Sequence, residues 1–529
     1  MNKTIKGLLI AALALSAQNV SGASTNKTFL QPRNQGLVNL PLEMTTFHER
    51  TSAKIANRWG FNFEATGFFG QSTNKSQLGK YFGINNTNTI TLQRGRNPLQ
   101  LTTLDGTFDV GYIIHDNAYA PAAHAATSLA TLTLNPQSTH YGVDFVYYQD
   151  LSKVIKGAYF KINLPVECVQ NNPKFKVTGG ATTGLATNAN IYSFFQGGTI
   201  AGQTATDLQS ALTAGKISGK RSATGISDID LMIGCNFIKK ETSHVGVNIG
   251  FNIPTGKKST GAYLFEPVYG TQSFGFGGGI EGSKRFLGNE KHNLKINFAA
   301  DYRYLFKGSE KRILGLGADN FGQYELIATR LDNVSTANPI PLFPAANLLN
   351  QSVNVTPGSQ IQGIIGFAYN YRGFTIDLGY NLYGRESELV KAKGTVIPPV
   401  NEYTRVTIAT QATAGTYGTA SKGLIATTGY TSEVGAVGPS SSGGAFGSLP
   451  TQFDTAGAAS QPWLVPGDVV TGVAATPSQF TNSIYAGIGW AAKEWRCPLM
   501  VGIGGKYEFA SKNSVLEVWQ IDAKLGVSF

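Results

Sequence analysis

The stretch NLKINFAADYRYLF, from Asn293 to Phe306, places Leu294, Ile296, Phe298, Ala300, Tyr302, Tyr304 and Phe306 in one phase. Lys295, Asn297, Asp301 and Arg303 occupy the other. A period of two describes a strand with one apolar and one polar face. The same alternation predicts twelve strands. They cover Trp59–Gly70, Tyr141–Gln149, Gly157–Val166, Ile226–Phe237, His244–Pro254, Ser273–Arg285, Asn293–Phe306, Gln360–Tyr371, Phe374–Arg385, Phe480–Ala491, Leu499–Phe509 and Leu516–Phe529. Most approach the roughly 9–11 residues that a tilted strand needs to cross a bilayer. Strands of globular sheets average about 5–6.

Charge follows the phase. Among apolar-phase positions only Lys284 and Glu517 carry charge, and both lie near strand ends. The polar phase holds Glu64, Asp144, Asp228, Asp230, Glu281, Asp301, Asp377, Glu508 and Asp522 against Lys161, Arg285, Lys295, Arg303, Arg385, Lys506 and Lys524. A lysine or arginine facing lipid at the bilayer midplane costs about 2–4 kcal/mol, which accounts for this separation. The connections alternate between long and short, except for a short last one. Long external loops and short periplasmic turns with an even strand count are the pattern of bacterial barrels. The expected fold is therefore an all-β antiparallel transmembrane barrel of 12 strands. TFDVGYII and ATLTL, in the first long connection, leave room for 14.

Composition adds little to that picture. Of 529 residues, 42% are hydrophobic and 14% charged, where soluble domains carry about 25% charged residues. The net charge of +11 comes without a basic run, so no nucleic-acid partner is expected. Lys3 and Lys6 precede GLLIAALALSA and the small residues Ser21, Gly22 and Ala23. That order predicts a secretory signal over residues 1–23, and its loss leaves +9. Residues 24–58 form an N-terminal segment, either periplasmic or a small plug, and 59–529 the barrel. Cys168, Cys235 and Cys497 cannot form a complete disulfide framework and fit no metal spacing.

The final positions Ile521, Ala523, Leu525, Val527 and Phe529 share the apolar phase. This resembles the C-terminal signature of Gram-negative outer-membrane β-barrel proteins, porin-like in general form. The resemblance implies recognition by the barrel assembly machinery, residence in the outer membrane lipid, and passage of small solutes. Homo-oligomerisation is compatible with it. Replacing Phe529 with Lys is expected to lower the amount of heat-modifiable barrel in the outer membrane without a matching loss of export. Unchanged barrel levels on semi-native gels would contradict this.

Candidate pore-lining residues are the inward Lys161, Asp230, His244, Asn248, Lys295, Asp301, Arg303, Asp377, Asn381 and Lys524. Asp301 and Arg303 share one wall, with Lys295 farther along it. With nine acids and seven bases on the inward face, a weakly selective pore is expected. No cofactor or catalytic site is expected. GGGIEG, at Gly277–Gly282, matches G-x-G-x-x-G but lies inside a strand, where a dinucleotide loop cannot form. TGKKS, at Thr255–Ser259, lacks the upstream glycine of a phosphate loop. No H-E-x-x-H or G-x-S-x-G occurs. Porin-like diffusion of small solutes is the leading expectation. The alternatives are a plugged barrel importing a hydrophobic ligand, as in the fatty-acid transporters, and a surface structural protein or adhesin.

Overall fold

The computed structural model describes residues 26–35, 39–44, 60–94, 107–110, 113–114, 127–180, 184–203, 209–240, 242–289, 292–316, 321–329, 342–397, 403–405, 410–413, 416–418, 464–492, 495, 497–512 and 517–528. The expected signal segment, Phe529 and most of 386–479 lie outside the described residues.

All twelve expected strands form. They are β1 (Phe61–Ser72), β2 (Gln137–Asp150), β3 (Ala158–Asn172), β4 (Ile229–Lys240), β5 (Ser243–Ile253) and β6 (Gly275–Gly288). Then follow β7 (His292–Leu305), β8 (Gly358–Tyr371), β9 (Phe374–Arg385), β10 (Gln479–Ala491), β11 (Leu499–Lys512) and β12 (Val518–Ser528). Each pairs antiparallel with its sequence neighbour, and β12 pairs with β1 through Phe63↔Val527, Ala65↔Leu525 and Phe69↔Ile521. The ring has no open edge, as a sheet in hydrocarbon requires, because every backbone N–H and C=O there must find a partner within the protein. The outer face is apolar and exposed: Ile233, Ile249, Phe367, Leu378, Ile488 and Ile503 project from it. No helix among the described residues is long and apolar enough to cross a membrane.

Two irregularities show why the sequence pattern ends where it does. A register shift opposite Val245 and Gly246 inserts Phe237 as a bulge. Phe237 and Ile238 then both face outward, and the alternation stops there. The fourth segment, expected from Ile226, begins at Ile229. A short strand, Arg221–Ile226, precedes it and pairs separately with β3. The split falls at Pro165, which has no N–H to extend the ladder. Its carbonyl instead accepts from Ser227 N at 2.8 Å. Asp228, expected inside the strand, is therefore in the loop. Its carboxylate accepts from Thr271 N at 2.6 Å and Asn252 Nδ2 at 3.0 Å, tying the 254–274 connection to the barrel mouth.

The candidate additional hairpin does not enter the barrel. Thr107–Asp109 and Thr127–Thr133 join Thr89–Arg94 and Lys176–Thr178 in a separate four-stranded sheet. Their short runs lack the length to span a bilayer. That sheet links the 73–136 and 173–228 connections. A second one, Gly308–Ile313 with Asn350–Thr356 and Leu389–Ala392, links 306–357 to 386–478. The long connections share one large hydrophobic core above the barrel mouth. Phe82 packs on Phe265 there, and Phe195 sits among Phe194, Phe321 and Tyr324. The main apolar core of this chain thus lies in an external cap, while the barrel interior is polar.

Candidate functional site

The described N-terminal residues run from this cap down through the barrel. At the upper end Asn26 N donates to Gly83 O at 2.9 Å, and Thr28 N to Val473 O at 3.0 Å. Gln31 Nε2 donates to Gly270 O at 2.6 Å, and Arg385 donates to Gln31 O at 2.7 Å. Arg33 reaches Glu508 at 2.8 Å with both side chains buried, and its guanidinium lies 4.1 Å from the centre of the Tyr383 ring. Lys506 donates to Gln35 Oε1 at 2.7 Å and Asn39 Oδ1 at 3.2 Å. Leu40–Met44 is a single helical turn. Its Leu40 packs with Ala299, Ile364 and Tyr485 on the inner wall. At its lower end Glu43 ion-pairs with Lys161, and Lys524 donates to Glu43 O at 2.9 Å. These contacts touch β3, β7, β8, β9, β10, β11 and β12, so the segment lies across the lumen and not along one wall.

This geometry sorts the candidate pore residues. Lys161 and Lys524 hold the segment directly. Asp230 and Arg303 form an ion pair at 2.6 Å, and both line a cavity with Asp301, Asn39, Leu40 and Glu43. The charge of Arg303 is thereby compensated by Asp230. Asn381 is buried and donates to Gly363 O at 2.9 Å, while Asp377 is buried on the inner face of β9. Asn248 is half-buried on β5. His244 and Lys295 sit near the short-turn end of their strands, away from this cluster, and His244 Nδ1 lies 2.8 Å from Ser283 Oγ. Ile521, Ala523 and Leu525 face outward; Val527 is half-buried.

A second cluster lies at the junction of segment and cap and was not anticipated. Arg312 is fully buried, donates to Glu310 at 2.7 Å and to Ala474 O at 2.6 Å, and forms a two-pronged pair with Glu388. The Phe29 ring lies 3.8 Å from its guanidinium carbon. Burial alone would raise the Glu388 carboxyl, but the Arg312 charge and hydrogen bonds overcome it and hold it below the ordinary range. These residues sit in long connections with no periodic pattern, so only a local count of charge in apolar surroundings marks them.

Lys27 gives the segment a pH dependence. Its ammonium donates to Gly472 O at 2.7 Å. Burial, with the positive Arg312 as a lesser contribution, lowers its pKa to about 8, against an opposing effect of Glu388. A lowered lysine pKa means that the undocked segment binds more protons than the docked one between about 8 and the ordinary value of 10.5. Docking is therefore penalised below pH 8 and strengthens as pH rises through that window. Segment protection, read by hydrogen exchange at Asn26–Gln31, is expected to increase from pH 7 to 9.5 after correction for intrinsic exchange. Lys27→Met should flatten that dependence, and an unchanged slope in the variant would contradict it.

A closed antiparallel barrel with an apolar outer belt, a polar interior and long connections on one side defines a Gram-negative outer-membrane β-barrel protein, located in the cell outer membrane. No family model and no curated relative matches the chain. Among solved structures it is similar to an outer membrane channel from Pseudomonas putida F1, with 7% identity, 89% of this chain and 96% of that chain covered, and a TM-score of 0.37. The toluene transporter TodX of Pseudomonas putida follows at 8% identity, 96% and 97% coverage and 0.32. A FadL homologue of Pseudomonas aeruginosa gives 8%, 89% and 89%, and 0.27. The barrel assignment rests on strand pairing and closure, not on these likenesses.

Proposed function

We propose that the protein is a gated outer-membrane channel whose N-terminal segment closes the lumen and must move before solute passes. The observation that carries this reading is the passage of residues 26–35 and 39–44 from cap to lower barrel, held by Arg33–Glu508 and Lys161–Glu43 on opposite parts of the route. A barrel of eight strands is filled by side chains, whereas 16–18 strands leave a wide channel. Twelve strands leave space for one extended chain, and withdrawing that chain opens a conduit.

An apolar or aromatic solute is the favoured cargo. The external cap carries a surface groove lined by Phe175, Val177, Ala189 and Tyr192, in which the Phe175 and Tyr192 rings stack at 5.8 Å. Ligand sites combine such apolar lining with a few polar groups, here Lys176, Thr178 and Asn188. The polar barrel interior favours a second reading, passage of small hydrophilic solutes. Uptake by cells lacking their own channels, expressing this chain, separates the two. The proposal expects faster entry of a small apolar aromatic than of a sugar of equal size, and loss of the difference in Tyr192→Ala. Faster sugar entry would favour the second reading.

A further inference from the structure

Sorting the charge of the chain by height, and not only by strand face, finds a concentrated part of its excess at one end. After the expected signal segment the net charge is +9, yet the charged inward residues nearly balance. Around the five short turns the sequence carries Asp150, Lys153, Lys156, Lys239, Lys240, Glu241, Lys284, Arg285, Glu290, Lys291, Arg372, Lys493, Glu494 and Arg496. That is ten bases and four acids in the sequence, and the described ones alone, Asp150 against Lys153, Lys156, Lys239, Lys240, Lys284, Arg285 and Arg372, put a surplus of six at one rim. Among the described residues Lys153, Lys156, Lys240, Lys284 and Arg372 are exposed there. The described acid, Asp150, is buried and ion-paired with Lys239 at 2.6 Å.

The apolar residues of the same rim are unusually open. Val154 is 70% exposed and Ile155 63%, between Lys153 and Lys156 in one turn. Phe286 and Leu287 follow Lys284, where a register shift turns both outward. Phe374 lies two residues beyond Arg372. Trp495 is 59% exposed and packs edge-on against Trp490. Cations with apolar neighbours suit the boundary between acyl chains and anionic headgroups. The lysine stem lies along apolar surface while the ammonium reaches the phosphate. The surplus positive charge of this rim gains more from anionic headgroups than from a neutral surface.

We propose that this rim is a binding belt for the anionic phospholipid of the periplasmic leaflet, recognised by its phosphodiester and its acyl chains together. The belt fixes the depth and tilt of the barrel and draws its own lipid shell. The inference rests on the orientation with short turns in the periplasm, not on the transport reading.

The test uses the full chain reconstituted in bilayers, with its tryptophans as reporters. Trp490 and Trp495 sit at the rim, so with Trp59, Trp463 and Trp519 replaced by Phe, quenching by brominated lipid reports which lipid occupies it. Brominated phosphatidylglycerol is expected to bind with an apparent affinity roughly fivefold above that of brominated phosphatidylcholine, the gain that a single cation near an anionic surface supplies. The preference should fall to unity in the variant combining Lys153→Gln, Lys156→Gln, Lys240→Gln, Lys284→Gln and Arg372→Gln. It should also shrink in the wild-type chain between low salt and about 1 M salt, where the Debye length is near 3 Å. The salt series does not depend on the variant folding. Equal quenching by the two lipids in the wild type, or a preference that survives both the variant and salt, would overturn the proposal. Binding to isolated peptidoglycan without any lipid preference would also overturn it and assign the belt to the cell wall.

Discussion

Arg312→Ala is expected to detach the N-terminal segment from the cap and to cost about 3–5 kcal/mol of cap stability, the usual result of removing one partner from a buried ion cluster. The substitution deletes the partner of two carboxylates, Glu310 and Glu388, and the cation lying on Phe29. Two buried acids without a cation between them cannot both remain ionised without a large cost, so one takes up a proton. The loss is therefore greatest at neutral pH and smaller below about pH 5. The sign follows from the lowered Glu388 pKa: its ionised form favours the folded cap above the ordinary carboxyl range, and that contribution disappears as pH falls. Arg312→Lys restores the charge but not the fork that spans Glu310, Glu388 and Ala474 O, and should recover part of the stability. Limited proteolysis of the external connections, beside heat-modifiability of the barrel, separates cap from barrel. Intact cap resistance in Arg312→Ala would show that the cluster contributes little.

The second large effect is expected from deleting residues 26–44. The intact chain should show brief, small openings in a planar bilayer, and the deletion a steady ohmic conductance. The barrel itself has reason to survive the deletion, because its closure depends on β1 pairing with β2 and β12. Glu508, Lys506 and Arg385 would lose partners but gain water, which removes the penalty of a buried unpaired charge. The deletion also leaves Ala299, Ile364 and Tyr485 without Leu40, a modest apolar exposure on the inner wall. Equal conductance in both chains would place the obstruction in the cap and not in the segment.

Much of this was legible from period two alone. Phe298 against Asn297, or Leu378 against Asp377, suffices to assign a face, because lipid tolerates no exposed charge and the lumen does. Strand ends were less legible, and Pro165 shows why: a missing donor on β3 breaks its partner at Ser227, far away in sequence. Phe237 and Phe286 also stand at bulges, where one extra residue reverses the phase. The cap escaped sequence reasoning because its core assembles from five connections, whose buried apolar residues stand in short runs of irregular spacing. The lumen contacts escaped for a related reason. Arg33 and Glu508 are 475 positions apart, and nothing local marks either as the other's partner. The inward phase located Glu508, Lys506 and Arg385 correctly, but only the fold brings the N-terminal residues to them.

The most direct measurement fixes the segment in place. Asn34 Nδ2 donates to Ser227 Oγ at 2.5 Å, joining two short side chains across the boundary between segment and barrel mouth. In a background with Cys168, Cys235 and Cys497 replaced by Ser, the pair Asn34→Cys and Ser227→Cys can be oxidised and reduced in a bilayer during recording. The account predicts that oxidation abolishes openings and that a reductant restores them, while the cysteine-free parent responds to neither. Openings of undiminished frequency and size with the disulfide demonstrably formed would contradict it.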